Sequence, residues 1–192
     1  VSAKDGSVRL WWNPKFIGGL TPRKIRGLLK HECWHIIFAH ITTRRHEPHL
    51  LWNYATDWAI NSMIPEEELP DGGLRPGRHF DTLTKEHLSK MSDDQISRYN
   101  TLSNFQAGLP LEKSSEWYFA AIQDNEDVKN ALEDSDGGPG MPGGMDDHDG
   151  WDDLTDEERE IVKGKTKKIL EDAVKEADNA SRGWGSVSST QR

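Results

Sequence analysis

The sequence predicts an α+β fold in which helices predominate and a short strand lies near the N-terminus. Apolar residues recur at helical spacing in several segments, and one early run is rich in aromatic and β-branched residues. A chain of 192 residues with 34% hydrophobic content is enough for one small domain with appendages. The single cysteine excludes both a disulfide framework and a cysteine-rich zinc module. No apolar run approaches the roughly 18 to 20 residues that span a bilayer, so we expect no membrane partner.

The net charge of −9 is distributed unevenly along the chain. Residues 1–64 carry nine basic against four acidic residues, whereas residues 121–160 carry two against fifteen. The basic residues at the front are dispersed, which makes nucleic-acid binding an unfavoured function. The acidic stretch overlaps a Gly/Pro run and predicts a loop or linker over 126–154. It would divide a core over 1–125 from a C-terminal helix and tail over 155–192 that pack on the same domain.

The first half of the chain predicts one strand and two helices. The aromatic and β-branched run over 8–12 predicts a strand that an Asn-Pro turn ends. Thr21 is a favourable N-cap and is followed by a proline, so we expect a helix from there to about residue 41. A second helix is predicted over 50–63, where Pro65 and a Pro-Asp-Gly-Gly cluster stop the pattern.

The second half predicts three more helices. A weaker helix is expected over 84–99, with a partial capping signal at its start. A short helix follows over 114–123. Thr155 precedes three acidic residues and predicts the start of the last helix, which continues to about residue 179.

The segment that carries chemistry is His31-Glu32-Cys33-Trp34-His35, an H-E-x-x-H pattern inside the first predicted helix. Histidines four residues apart lie on one helix face, so both imidazoles can reach the same Zn²⁺ ion. Glu32 is rotated by about 100° from His31 and can reach a water on that metal, as a general base does in hydrolysis. Two surface histidines on an amphipathic helix are the alternative. The apolar neighbours favour zinc, because buried polar groups are costly unless they are paired or bind a metal.

A catalytic zinc site takes three protein ligands, so a third must come from another segment. Asn53, Asp57 and Asn61 recur at four-residue spacing in the second predicted helix, among apolar residues. Asp57 is the best candidate, because a carboxylate on such a helix needs a buried polar partner. The alternative is an N-cap or a buried stripe of hydrogen-bonded side chains that bind no metal.

Other side chains have possible supporting roles. His40 lies about 180° from His31 on a continuous helix. This position favours a structural role, or contact with a residue that binds the metal, over metal binding by His40 itself. His46 and His49 stay possible as third ligands. Tyr54 and Tyr118 are possible oxyanion donors, with a place in the core as the alternative. His148, in the acidic stretch, is a possible donor on the substrate side, while Asn53 and Asn61 could support the ligands.

The run from His31 to His40, followed by the segment 51–61, resembles the metallopeptidase domain that precedes VWA-like domains in bacterial and phage proteins. Residues 10–14 closely resemble the strand-plus-Asn-Pro start of that family. Its later landmarks are resembled more loosely, by residues 114–118, 147–151 and 182–186. The resemblance implies a zincin-like fold with a small β-sheet over the active-site helix. It also implies zinc ligands at His31 and His35, Glu32 as the base, and the helix of Asp57 as the source of the third ligand.

These patterns predict a zinc-dependent peptidase that hydrolyses a protein substrate in the cytoplasm of a bacterial or phage-infected cell. The strand over 8–12 would pair with an extended substrate at the edge of the cleft. The alternative is an inactive, zinc-stabilised protein-binding module that works with a VWA-like or AAA+ partner and docks through 121–160. A third hypothesis is a latent enzyme in which that acidic segment covers the cleft.

Overall fold

The computed structural model describes residues 2–4, 7–40, 42–44, 46–133 and 154–179. Helices dominate these residues, so the predicted helical character of the fold is confirmed. The elements, in chain order, are β1 (Ser2–Lys4), β2 (Ser7–Arg9), α1 (Pro14–Gly18), α2 (Pro22–Ile37), α3 (His49–Met63), a 3-10 helix (Glu66–Glu68), α4 (Lys85–Lys90), α5 (Asp93–Gly108), α6 (Ser115–Gln123), α7 (Glu126–Glu133) and α8 (Asp156–Asn179). None of the described helices is both long enough and apolar enough for a membrane span.

The N-terminal strands form an antiparallel hairpin in which Ser2 pairs with Arg9. The strand predicted over 8–12 is therefore too long, because β2 ends at Arg9. Asn13 does not end a turn: its Oδ1 accepts hydrogen bonds from the backbone N–H groups of the second and third residues that follow, at 2.9 and 3.4 Å. Asn13 thereby caps α1. This short helix is not predicted from the sequence, because Asn-Pro is compatible both with a turn and with a helix start. A zincin-like sheet over α2 stays a prediction.

Helix α2 begins as the sequence predicts, since Thr21 Oγ1 accepts a hydrogen bond from the backbone N–H of Lys24 at 3.3 Å. Its predicted end at about residue 41 is wrong. The helix ends at Ile37, and Ala39 takes a left-handed conformation with φ of 60°. The backbone N–H of His40 then donates to the His35 carbonyl oxygen at 3.0 Å, so the chain folds back over the last turn of the helix.

Gly27 allows α2 to lie directly against the 3-10 helix. A Cβ atom at this position would stand 1.9 Å from the Glu68 carbonyl oxygen, so no larger residue fits without a backbone shift. On the same side, Lys30 Nζ donates to the Glu68 carboxylate at 2.6 Å. These contacts fix α2 against the segment that directly follows α3.

Helix α3 is the centre of the core, and its prediction over 50–63 is confirmed to within one residue. It packs against α6 and α7, which close the core together with α5. Trp52 and Trp58 are fully buried, and Trp58 Nε1 donates to Gln106 Oε1 of α5 at 2.7 Å. A helix that is buried almost all round carries its polar residues into the interior.

The helix predicted over 84–99 is wrong as one element, because Met91 and Ser92 separate α4 from α5. Ser92 begins a capping box: its Oγ accepts from the Gln95 backbone N–H, while the Gln95 side chain accepts from the Ser92 backbone N–H. This reciprocal pair starts a new helix where the apolar spacing alone suggested a continuous one.

Residues 126–133, which the sequence analysis assigns to the acidic loop, form α7 with Val128 and Leu132 buried. The remainder of that predicted loop, 134–153, lies outside the described residues, as does the tail from residue 180. Helix α8 begins after Thr155 as predicted. It is joined to the turn after α2 by Arg159, whose Nη1 donates to the Thr42 carbonyl oxygen at 2.9 Å.

Candidate metal centre

Helices α2 and α3 bring His31, His35 and Asp57 together in the interior, where all three side chains are buried. The Nε2 atoms of the two histidines lie 3.0 Å apart. Asp57 Oδ1 lies 3.3 Å from Nε2 of His35 and 3.7 Å from Nε2 of His31. Three donor atoms from two helices thus converge on one point and could hold a metal ion; His31, His35 and Asp57 together form the candidate site called the metal cluster below. Two imidazole nitrogens and one carboxylate oxygen suit a divalent transition metal.

Asn61 fixes the orientation of the His31 ring. Its Nδ2 donates to the Leu74 carbonyl oxygen at 2.7 Å, so its Oδ1 is the atom that faces His31 Nδ1, also at 2.7 Å. Because an amide oxygen only accepts, the neutral His31 ring carries its proton on Nδ1. The lone pair of Nε2 therefore points towards His35 and Asp57, which is the tautomer that a metal ligand requires.

A second chain of hydrogen bonds lies behind His35. His35 Nδ1 is 3.2 Å from His40 Nδ1, and His40 Nε2 is 3.2 Å from Ser115 Oγ at the start of α6. If His35 offers its Nε2 lone pair to a metal, its Nδ1–H donates a hydrogen bond to His40 Nδ1. The Nε2–H of His40 then donates a hydrogen bond to Ser115 Oγ. The geometry of all three side chains is compatible with this single assignment of protons.

Glu32 is buried on the side of α2 that faces an apolar cavity. The cavity has a volume of about 480 Å³ and is lined by α1, by the segment before it, and by one face of α2. Glu32 lines this cavity and is the residue next to His31 in α2. A carboxylate in that place can act on a group that enters from the cavity.

The other candidates have different surroundings. Burial, with the charge of Asp57 as a smaller cause, raises the pKa of Tyr54, so its phenol stays protonated at neutral pH. Tyr118 donates its hydroxyl proton to the Pro110 carbonyl oxygen at 2.6 Å, so that proton is already engaged in a hydrogen bond. Asn53, one turn before Asp57, has a buried Oδ1 with no hydrogen-bond partner among the residues described.

Neither alternative histidine belongs to the cluster of donor atoms. The His46 ring packs against Trp52, with ring centroids 4.5 Å apart, and His49 begins α3 two turns before Asp57. His148 lies outside the described residues. Ser115 is not predicted from the sequence as part of the site, because a serine at a helix start is typical of a capping residue and nothing in the sequence links it to His40.

Residues 1–190 match the model of a family described as "Putative metallopeptidase domain". Neither the curated proteins nor the solved structures yielded a match. The match spans both the helix with the H-E-x-x-H pattern and the helix with Asp57.

Proposed function

Because the chain belongs to this family of metallopeptidase domains, we propose that it is a zinc-dependent peptidase that hydrolyses peptide bonds of a protein substrate. The observation that carries the proposal is the convergence of His31 Nε2, His35 Nε2 and Asp57 Oδ1. The donor set fits zinc: ligands about 2.0 to 2.1 Å from a tetrahedral ion lie about 3.3 Å from one another. The separations of 3.0, 3.3 and 3.7 Å in the structure bracket that value.

In this mechanism His31, His35 and Asp57 would hold the ion. When bound, zinc supplies Lewis-acid chemistry, which polarises a carbonyl oxygen and makes water a better nucleophile at neutral pH. Glu32 accepts the proton of the attacking water and then delivers it to the amine nitrogen of the leaving peptide. Glu32 is buried and lines the apolar cavity, so a substrate group bound in the cavity would lie beside the Glu32 carboxylate.

The substitution Glu32→Gln tests this assignment, since it removes the proton acceptor and preserves the shape of the side chain. We expect zinc content to be retained, and hydrolysis of an unfolded protein substrate to fall by at least about 10²-fold. Zinc is measured by elemental analysis and cleavage by mass spectrometry.

The matched control is Glu67→Gln, which removes an exposed carboxylate whose partner is Arg23 at 2.7 Å. That variant should keep full activity. Full activity in Glu32→Gln would contradict the mechanism. Zinc binding without any cleavage by the unmodified chain would instead favour the zinc-stabilised binding module.

A further inference from the structure

The apolar cavity beside Glu32, here called the N-terminal pocket, has no role in holding the metal. Eight of its ten lining residues are apolar, and the two polar ones are Asn13 and Glu32. The Asn13 side chain already accepts hydrogen bonds as the cap of α1. The pocket therefore offers an entering group one carboxylate and otherwise hydrocarbon and aromatic surface. Its volume of about 480 Å³ is within the range of pockets that enclose small ligands.

Helix α2 forms the floor of the N-terminal pocket. Ile25, Leu28, Leu29 and Glu32 occupy positions i, i+3, i+4 and i+7, so they share one helix face. The apolar floor thus continues from Glu32 back towards the start of the helix. The proposed general base stands at one end of this floor, where the reacting bond of a bound peptide would lie.

The outer wall is the segment between β2 and α1, and its aromatic residues remain largely accessible. Trp11 is 73% exposed and Trp12 is 64% exposed, and Leu29 on the α2 floor is 46% exposed. Apolar side chains that line one concave surface and stay exposed are typical of a binding site. An acidic substrate group would lose its hydration here and would also be repelled by Glu32. A basic group would find one carboxylate, Glu32, in a lining that is otherwise almost entirely apolar.

We infer that the N-terminal pocket binds a large aliphatic or aromatic side chain of the substrate, next to the bond that is cleaved. This specificity rests on the proposed peptidase function. Trp11, Trp12 and Leu29 are the residues that determine it, and burial of one leucine-sized side chain would favour such substrates by about tenfold to a hundredfold.

The activity test is a digest of a peptide library by the zinc-loaded chain, with cleaved bonds identified by mass spectrometry. We expect leucine, phenylalanine and similar residues to be enriched at one position beside the cleaved bond. Leu29→Asp should abolish that enrichment. The control is Leu111→Asp, since Leu111 has the same exposure of 46%, does not line the pocket, and should leave the preference unchanged.

A second test measures binding without turnover. Metal-stripped protein is titrated with two pentapeptides that differ only at the central residue, leucine or aspartate, in a flanking sequence of glycines. The indole N–H signals of Trp11 and Trp12, followed by NMR, should shift with the leucine peptide alone. The shifts should disappear in Leu29→Asp and persist in Leu111→Asp.

The two tests separate the failure of each proposal. Leucine-specific shifts without cleavage of any peptide would contradict the peptidase and leave the pocket as a binding site. Cleavage without an apolar preference, or equal shifts with both peptides, would overturn the pocket's assignment. A dimer of the unmodified chain that Leu29→Asp dissociates would assign the pocket to a second copy and would also overturn it.

Discussion

At the scale of single residues, the proposed metal site depends on side chains that are not themselves candidate ligands. Asn61 determines which nitrogen of His31 is protonated, and His40 is placed to do the same for His35. Both supporting residues are buried, and each has a further partner on its far side, Leu74 or Ser115. Such supporting hydrogen bonds orient metal ligands and typically change metal affinity by 10- to 100-fold.

His40→Leu should therefore weaken zinc binding by about 10- to 100-fold, because the proton on His35 Nδ1 loses its acceptor. Competition with a zinc chelator measures the dissociation constant. His40→Gln is the matched variant, since its amide oxygen can still accept that proton and much of the affinity should return. Equal weakening by both substitutions, or by neither, would contradict the role given to His40.

The sequence predicts the three residues of the metal cluster more readily than the residues that form hydrogen bonds with them. His31 and His35 are set by a four-residue spacing in one helix, and Asp57 by the polar stripe on an apolar helix. The position of His40 depends on where α2 ends and on the left-handed backbone at Ala39, which apolar spacing does not encode. Ser115 is 75 residues from His40 along the chain, so only tertiary packing brings them together.

At the scale of elements, the relative position of α2 and α3 decides the distances between ligands. Local capping chemistry explains the helix boundaries that apolar spacing misses, as at Asn13 and Ser92. Helix α7 was missed for another reason: its charged residues dominate the composition, while only Val128, Ala131 and Leu132 are buried. The close approach at Gly27 likewise depends on a partner, Glu68, that is distant in sequence.

Gly27→Ala should lower the free energy of unfolding by about 3 kcal/mol, because the new methyl group overlaps the Glu68 backbone. For a chain of this size the melting temperature would fall by roughly 6 to 12 °C. Thermal unfolding with chelator present measures this effect apart from metal binding.

Gly164→Ala is the control, since a Cβ at that position in α8 meets no atom of the residues that the structure describes. It should stabilise the helix by about 0.5 to 1 kcal/mol through its helix propensity. Equal stability of the Gly27 variant and the unmodified chain would contradict the packing of α2 against the 3-10 helix.

At the scale of the whole molecule, the metal cluster joins elements that are separate in sequence. His31 and His35 belong to α2, whereas Asp57 belongs to the helix around which α6 and α7 pack. A metal ion bound by all three would connect α2 directly to the core. Ligands that bind only the folded state stabilise it in proportion to the logarithm of their concentration.

Removal of the metal should therefore lower the melting temperature of the intact chain. Zinc at about 1,000 times its dissociation constant adds about 4 kcal/mol, which corresponds to roughly 8 to 16 °C. Differential scanning calorimetry with chelator, and then with added zinc, measures the loss and its recovery. An Asp57→Ala variant should show a much smaller response to zinc, and a melting temperature insensitive to chelator in the unmodified chain would contradict the site.

The floor and the outer wall of the N-terminal pocket differ in how exposed they are, and this difference affects which substitutions the protein can tolerate. Its floor is α2, which also carries the proposed metal ligands His31 and His35, whereas its outer wall is the exposed segment that contains Trp11 and Trp12. Changes in that segment remove little buried surface, so most of them should be tolerated. Residues 10–12 are accordingly where laboratory evolution could alter substrate preference while the ligand-bearing helices keep their sequence.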